Sequence, residues 1–345
     1  MQIKRGFLFC AAQLLFGLGL TTAALAAPKV LYVGDSIAVE TSDTVAWWTK
    51  NYSNADTTRA MFGGLALCDF TSGKSNPNSN DSSLQTRVKE DKPDVVVFQF
   101  VGNRFTDCMQ NLPDDEAYFK KYYDDAIEAT RQIERASADA GINRPKIMWV
   151  LQGAWEDGPR TTRLNRQYRE VALLNGDYVT DAGAEVSMSA YHTGDYVIDR
   201  EKFTRFVPCN QFERDTGFCT DLNKNLTRVH KDDDGVHYCL GKMNGNTCDA
   251  QSPGILRYGM RIAGDIKKVL DGVNPSPNLE AVRAAAHAEL PRILYMGDSI
   301  AFETSNFVDS FSRSAFNAST SRIMWGGLAI CDFTSIREGE LNTQA

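Results

Sequence analysis

Histidine is scarce in this chain, at 4 of 345 residues, so any chemistry that needs an imidazole near neutral pH has very few positions to draw on. Missing altogether is a Cys-x2-Cys or His-x3-His spacing, which argues against structural zinc. No run of lysine or arginine and no basic face interrupts a mildly acidic balance, net charge −7. Nucleic acid and anionic membrane are therefore poor partners. After the first residues, no segment approaches the roughly 18 consecutive apolar residues of a spanning helix.

The first residues behave differently. Lys4 and Arg5 precede an apolar stretch of about 15 residues and then Ala24-Leu25-Ala26, the pattern of a cleaved secretory signal. Residues 1–26 are expected to be absent from the mature protein, which is then secreted or periplasmic, with no stable membrane insertion. Cys10 leaves with the signal, and Cys68, Cys108, Cys209, Cys219, Cys239, Cys248 and Cys331 remain. Outside the cytoplasm most should pair, and their odd number leaves one over.

Compared with itself, the sequence matches without gaps at an offset of 263, from Pro28–Ser72 onto Pro291–Ser335. "LYVGDSIAVETS" recurs as "LYMGDSIAFETS", and "GGLALCDFTS" as "GGLAICDFTS". The period is far too long for a solenoid and points to tandem domains, the second incomplete. Cys331, the counterpart of Cys68, then lacks its partner. The expected organisation is a signal peptide at 1–26, a complete domain at 28–270, a linker at 271–290 with Pro275 and Pro277, and a truncated repeat at 291–345.

With 43% hydrophobic residues, the chain can bury one good core and begin a second. Lys29–Val33 and Asp94–Phe100 read as fully buried strands, which belong in a parallel sheet covered on both faces. Thr57–Phe62, Lys146–Leu151 and Glu185–Ser189 are weaker strand candidates. Helical spacing marks Phe119, Tyr123, Ala126, Ile127, Thr130 and Ile133, a helix expected to stop at Gly141. Leu164, Tyr168, Val171 and Leu174 mark another. The last expected helix has Ser252 as cap, Pro253 in its first turn, and Ile255, Gly259, Ile262, Ile266 and Val269 on one stripe. Alternating strands and helices imply a three-layer α/β/α sandwich, whose site lies at the carboxyl ends of the strands. Three loops fall there: Gly34-Asp35-Ser36, Phe62-Gly63-Gly64 and Gly102-Asn103.

A serine at such a strand-to-helix turn has two readings, a cap for the following helix or a nucleophile. A nucleophile needs a base, and His192, His230 and His237 are the candidates. Only His237 has a carboxylate three residues upstream, Asp234 in "DDDGVHYC", placed to orient the imidazole. Asp232 and Asp233 extend that acidic run and read as a solvated loop, since no further ligands for a metal cluster nearby.

"GDSI" at 34–37, "GG" at 63–64, "VGN" at 101–103 and "DGVH" at 234–237 together resemble the four blocks of the SGNH (GDSL-type) hydrolase superfamily, in order and approximate spacing. The resemblance implies a parallel, flavodoxin-like sheet and a cofactor-free serine esterase without a metal. It implies Ser36 as nucleophile, His237 as general base and Asp234 as its orienting acid. The N–H groups of Ser36 and Gly64 and the Asn103 side chain would form the oxyanion hole, with Gly63 a rival for the glycine role. Arg104 stands where many members have an acid. "GNRFTDCM" and "DGVHYC" look more like an exported bacterial branch, some of whose relatives accompany membrane acyltransferases and act on cell-envelope glycans.

The expected substrate is an acylated small molecule or glycan, deacylated through an acyl-enzyme. Transfer of the acyl group to a glycan hydroxyl, or an inactive glycan-binding module, are the alternatives. Six cysteines in the complete domain suggest Cys68–Cys108, Cys209–Cys219 and Cys239–Cys248, one of many connectivities available to them. Trp47 and Trp48 read as core or rim packing, with a glycan-binding surface as the sharper alternative. Ser299, with no block-three asparagine and no Asp-x-x-His after it, is expected to be catalytically silent.

Overall fold

The computed structural model describes residues 26–72, 83–155, 160–187, 203–231 and 234–276, together with 292–297, 308 and 319–324. The expectations for the signal peptide, His192, Asp232, Asp233 and Ser299, and for most of the linker and repeat, lie outside these residues.

In chain order the elements are β1 (Lys29–Gly34), α1 (Ser36–Ser53), β2 (Asp56–Met61), α2 (Leu67–Thr71), α3 (Leu84–Asp91), β3 (Val95–Gln99), α4 (Asp115–Asp139), β4 (Lys146–Val150), α5 (Arg160–Asn175) and β5 (Tyr178–Thr180). Then come β6 (Phe206–Pro208), α6 (Gln211–Thr216), β7 (Leu226–Arg228), β8 (Met243–Asn244), β9 (Thr247–Cys248), α7 (Pro253–Leu270), β10 (Arg292–Gly297) and β11 (Ser319–Met324). β1 to β5 form one parallel sheet in the order β2-β1-β3-β4-β5. This is the flavodoxin-like order, and it switches direction between β1 and β3, where such sheets bind ligands.

Period-2 alternation sorts the strand side chains between two cores. Val30, Tyr32, Val95, Val97, Met148 and Val150 face α1 and α7, among Val45, Ile255, Ile262, Ile266 and Val269. Leu31, Val33, Val96, Phe98, Ile147 and Trp149 face the opposite layer of α3, α4 and α5, with Leu84, Tyr122, Ile133, Leu164 and Tyr168. The α/β/α sandwich follows directly from strands that are apolar on both faces.

Three expectations about elements are revised. The fifth strand is Tyr178–Thr180, and the expected strand at Glu185–Ser189 begins inside a 3-10 turn, Ala182–Val186. The chain must cross the end of β4 there: the Gly183 N–H donates to Leu151 O at 2.9 Å, and a Cβ on Gly183 would meet the Gln152 carbonyl carbon at 2.2 Å. Ser252 does occupy the cap position of α7 but makes no capping bond. Its hydroxyl instead accepts the Leu240 N–H and donates to Ala250 O, serving the loop after His237. Leu174, on the expected apolar stripe of α5, is 62% exposed.

The three expected disulfides, Cys68–Cys108, Cys209–Cys219 and Cys239–Cys248, are all present. The last two brace the excursion between β5 and α7, where the antiparallel pairs β6–β7 and β8–β9 are too short to stand alone. β10 and β11 pair in parallel from Arg292↔Ser319, the register of Lys29↔Asp56 in β1 and β2 carried forward by 263 residues.

Candidate active site

Gly34 ends β1 and allows the turn into α1. A Cβ there would lie 2.4 Å from Gln99 O on the neighbouring strand and 2.5 Å from the Ala38 side chain. The capping question is settled by Asp35, whose carboxylate accepts the Ile37 N–H at 3.1 Å and is the cap of α1. Ser36 is thereby released from capping and stands in the first turn, at the positive end of the helix dipole.

The structure brings Ser36, His237 and Asp234 together. Ser36 Oγ lies 2.9 Å from His237 Nε2, and His237 Nδ1 lies 2.5 Å from Asp234 Oδ2. Asp234 Oδ1 also accepts the N–H groups of Val236 and His237, so its own tight turn fixes it relative to the ring. His230 does other work: Nδ1 is 2.8 Å from Thr204 O and the buried ring packs against Phe203 and Tyr238.

The second and third loops close around this line. Gly64 has φ +80° at the third place of the turn Phe62–Leu65, where a type II turn requires glycine; the Leu65 N–H closes it on Phe62 O at 3.4 Å. Gly63 lines a cavity with Ser36, Glu40, Asp234 and His237. Asn103 Nδ2 donates to Leu65 O at 2.9 Å and reaches Asp35 Oδ2 at 3.4 Å. The Cys68–Cys108 bridge ties the same two loops covalently.

Two buried acids beneath the site were not singled out from the sequence. Asp35 receives the Val101 N–H at 2.6 Å, joining the first loop to the third. Glu40, one helical turn after Ser36, receives the N–H groups of Tyr238 and Cys239, both at 3.0 Å. Burial pushes each carboxyl up to about 7, against the pull of these N–H donors and of His237. The signal for Glu40 was available as an acid among the buried positions Ile37, Ala38, Thr41 and Val45 of α1, and the letter recurs in the second copy as Glu303.

These acids act on His237. Burial alone would lower the His237 pKa, but Glu40, then Asp234 and Asp35, outweigh it and raise the pKa above its ordinary value. Asp234 shows the converse: burial opposes its ionisation, yet the hydrogen bond and charge of His237 hold its carboxyl below the usual range. A second cavity, of about 630 Å³, opens on the other side of Ser36 and His237, lined also by Asn103, Arg104, Phe105, Trp155, Arg160 and Val236. A larger one, of about 1120 Å³, sits at the amino ends of the strands around Pro28, Lys92 and Lys146 and has no histidine in its lining. Among the described residues, Cys68, Asp69 and Cys108 are the one cluster with metal-ligand spacing, and its sulfurs are joined to each other. Trp47 is 57% exposed, whereas Trp48 packs at the rim against Tyr52 and Phe212.

No protein-family model matches the sequence, and no curated protein matches it. Among solved structures, a carbohydrate acetylesterase from Sinorhizobium meliloti is similar at 11% identity and TM-score 0.41, over 70% of this chain and 99% of that one. A protein described as an SGNH hydrolase from Slackia heliotrinireducens is similar at 14% identity and TM-score 0.34, over 50% of this chain and 90% of that one. An acetylxylan esterase from Geobacillus stearothermophilus is similar at 15% identity and TM-score 0.33, over 46% and 77%. Each of these similarities lies at 15% identity or below and at a TM-score below 0.5.

Proposed function

We propose that the protein is an exported serine esterase that removes O-acyl groups from glycans or small esters. The observation that carries this reading is the continuous line Ser36 Oγ, His237 Nε2, His237 Nδ1, Asp234 Oδ2. A hydroxyl with a base at hydrogen-bond distance, and a carboxylate fixing that base, is the arrangement of nucleophilic acyl transfer.

In the first half-reaction, Ser36 Oγ bonds to the acyl carbon as its proton passes to His237 Nε2. The bond to the alcohol oxygen breaks, and the alcohol leaves with that proton. In the second, His237 takes a proton from water, whose oxygen bonds to the acyl carbon. The acid departs and Ser36 recovers its proton. Negative charge on the carbonyl oxygen would be met by N–H groups at the start of α1 and in the Phe62–Leu65 turn, and by Asn103 after its amide turns from Leu65 O. Each such donor is worth on the order of 100–1000-fold in turnover. The disulfides fit the oxidising compartment that export implies.

A fluorophosphonate probe tests the reading. Covalent labelling of the wild type and none of Ser36→Ala is expected; no labelling, or equal labelling of both, overturns it.

A further inference from the structure

The 630 Å³ cavity in front of Ser36 has a charge pattern that ester hydrolysis alone does not require. Among the described residues, its lining contains two guanidinium groups, Arg104 and Arg160, and no carboxylate, in a chain of net charge −7. The cavity across Ser36 is different, with Glu40 and Asp234 facing Lys231 and Lys242.

The two arginines are not equivalent. Arg104 donates to Asp115 Oδ1 at 2.8 Å and lies 4.5 Å over the Tyr118 ring, so a carboxylate already meets part of its charge. Arg160 makes no ion pair with the described residues. Its guanidinium lies 4.9 Å from the centre of the Trp155 ring and 5.8 Å from that of Tyr118. Cation–π contacts of this kind hold the guanidinium against the rings, and its N–H groups can still meet a planar anion. Arg104 Nε and Trp155 Nε1 are, in addition, buried donors with no acceptor among the described residues. Among the described residues, the cavity is therefore rich in donors and is lined by no acid.

We propose that this cavity selects esters that also carry a carboxylate or similar oxyanion, held by Arg160 while the ester carbonyl lies at Ser36. The inference rests on the reading of Ser36 as nucleophile. The anion can belong to the acyl part, as in the half-ester of a dicarboxylic acid, or to the alcohol part, as in an O-acylated acidic glycan. Both present the same chemistry to the fork. The volume lies within the roughly 300–1000 Å³ of small-ligand sites. Phe105, 81% exposed at the rim, offers an apolar face to a sugar ring or acyl chain.

The test is a comparison of kcat/KM for matched acidic and neutral substrates on the full chain. One arm sets the p-nitrophenyl half-ester of glutaric acid against p-nitrophenyl butyrate. The other sets acetate release from O-acetylated polygalacturonate against that from O-acetylated xylan. A charge-assisted pair predicts a preference for the acidic substrate on the order of tenfold or more in the arm that matches the source of the anion. That ratio should fall with added salt, collapse in Arg160→Gln chiefly through KM, and be kept only in part in Arg160→Lys, which retains the charge and loses the fork. The ratio compares two substrates on one preparation, so partial unfolding cannot imitate the effect. Equal or inverted preference in both arms, or an unchanged ratio in Arg160→Gln, overturns the inference. If instead no ester is cleaved and the fluorophosphonate probe does not label Ser36, the nucleophile reading has failed and this inference falls with it.

Discussion

Arg257→Met tests what holds the excursion that delivers His237. Arg257 Nε and Nη2 meet Glu213 Oε1 and Oε2 at 2.6 and 2.7 Å, and the two side chains are only 6% and 2% exposed. Nη2 also reaches Pro208 O at 2.5 Å, while Glu213 Oε2 receives the Asn210 N–H at 2.9 Å. The pair therefore fastens α7 to the segment closed by Cys209–Cys219. Removing the guanidinium alone strands a carboxylate in a dry site with one backbone donor left. Breaking such a pair from one side costs about 3–5 kcal/mol. For a domain of this size, that is a fall in Tm of about 6–20 °C. The assay is urea unfolding followed by circular dichroism, with the midpoint shift read at constant m. Glu213→Leu combined with Arg257→Met removes both charges and should recover most of the loss. A single variant that loses under about 1 kcal/mol, or a double variant no better than the single one, would refute the reasoning.

Other expectations concern the site more directly. The proposed base must be neutral to accept a proton and its pKa is raised, so ester hydrolysis should fall as pH drops through a value above that of an ordinary imidazole. Glu40→Gln removes the largest of the influences that raise it, so the acid limb of the pH–rate profile should move to lower pH; an unmoved limb contradicts the electrostatic account. Asp234→Asn should lower kcat by about 10⁴-fold while leaving the thermal melt nearly unchanged, and a loss below tenfold would remove Asp234 from the orienting role. On loop-closure entropy, replacing Cys68 and Cys108 with serine, 40 residues apart, should cost about 4 kcal/mol, against about 2.7 kcal/mol for Cys239 and Cys248, 9 apart. Paired calorimetric melts check that order.

The parts legible in the sequence were those whose signal is local. β1 and β3 showed as unbroken apolar runs because both of their faces are covered. Asp234 and His237 showed because their relation is a turn of three residues. β5 was missed because Tyr178–Thr180 is too short to show a period, and its place in the sheet is decided by β4 alongside it. Glu40 and Arg160 were missed for a related reason. Glu40 acts on N–H groups 198 and 199 residues away, and Arg160 faces a cavity assembled from four loops, so no window of sequence displays either role. The direction of the Asn103 amide, toward Leu65 O, likewise depends on two loops meeting.

Ser36 and His237 stand 201 residues apart and meet because the first helix of the domain packs against the last. Chains are made from the amino end at about 5–20 residues per second, so the serine precedes its base by about 10–40 s of synthesis. Throughout that interval it is an ordinary hydroxyl. Docking of α7 thus brings the proposed base to the proposed nucleophile, which stays silent in an unfinished or unfolded chain without any inhibitor to restrain it.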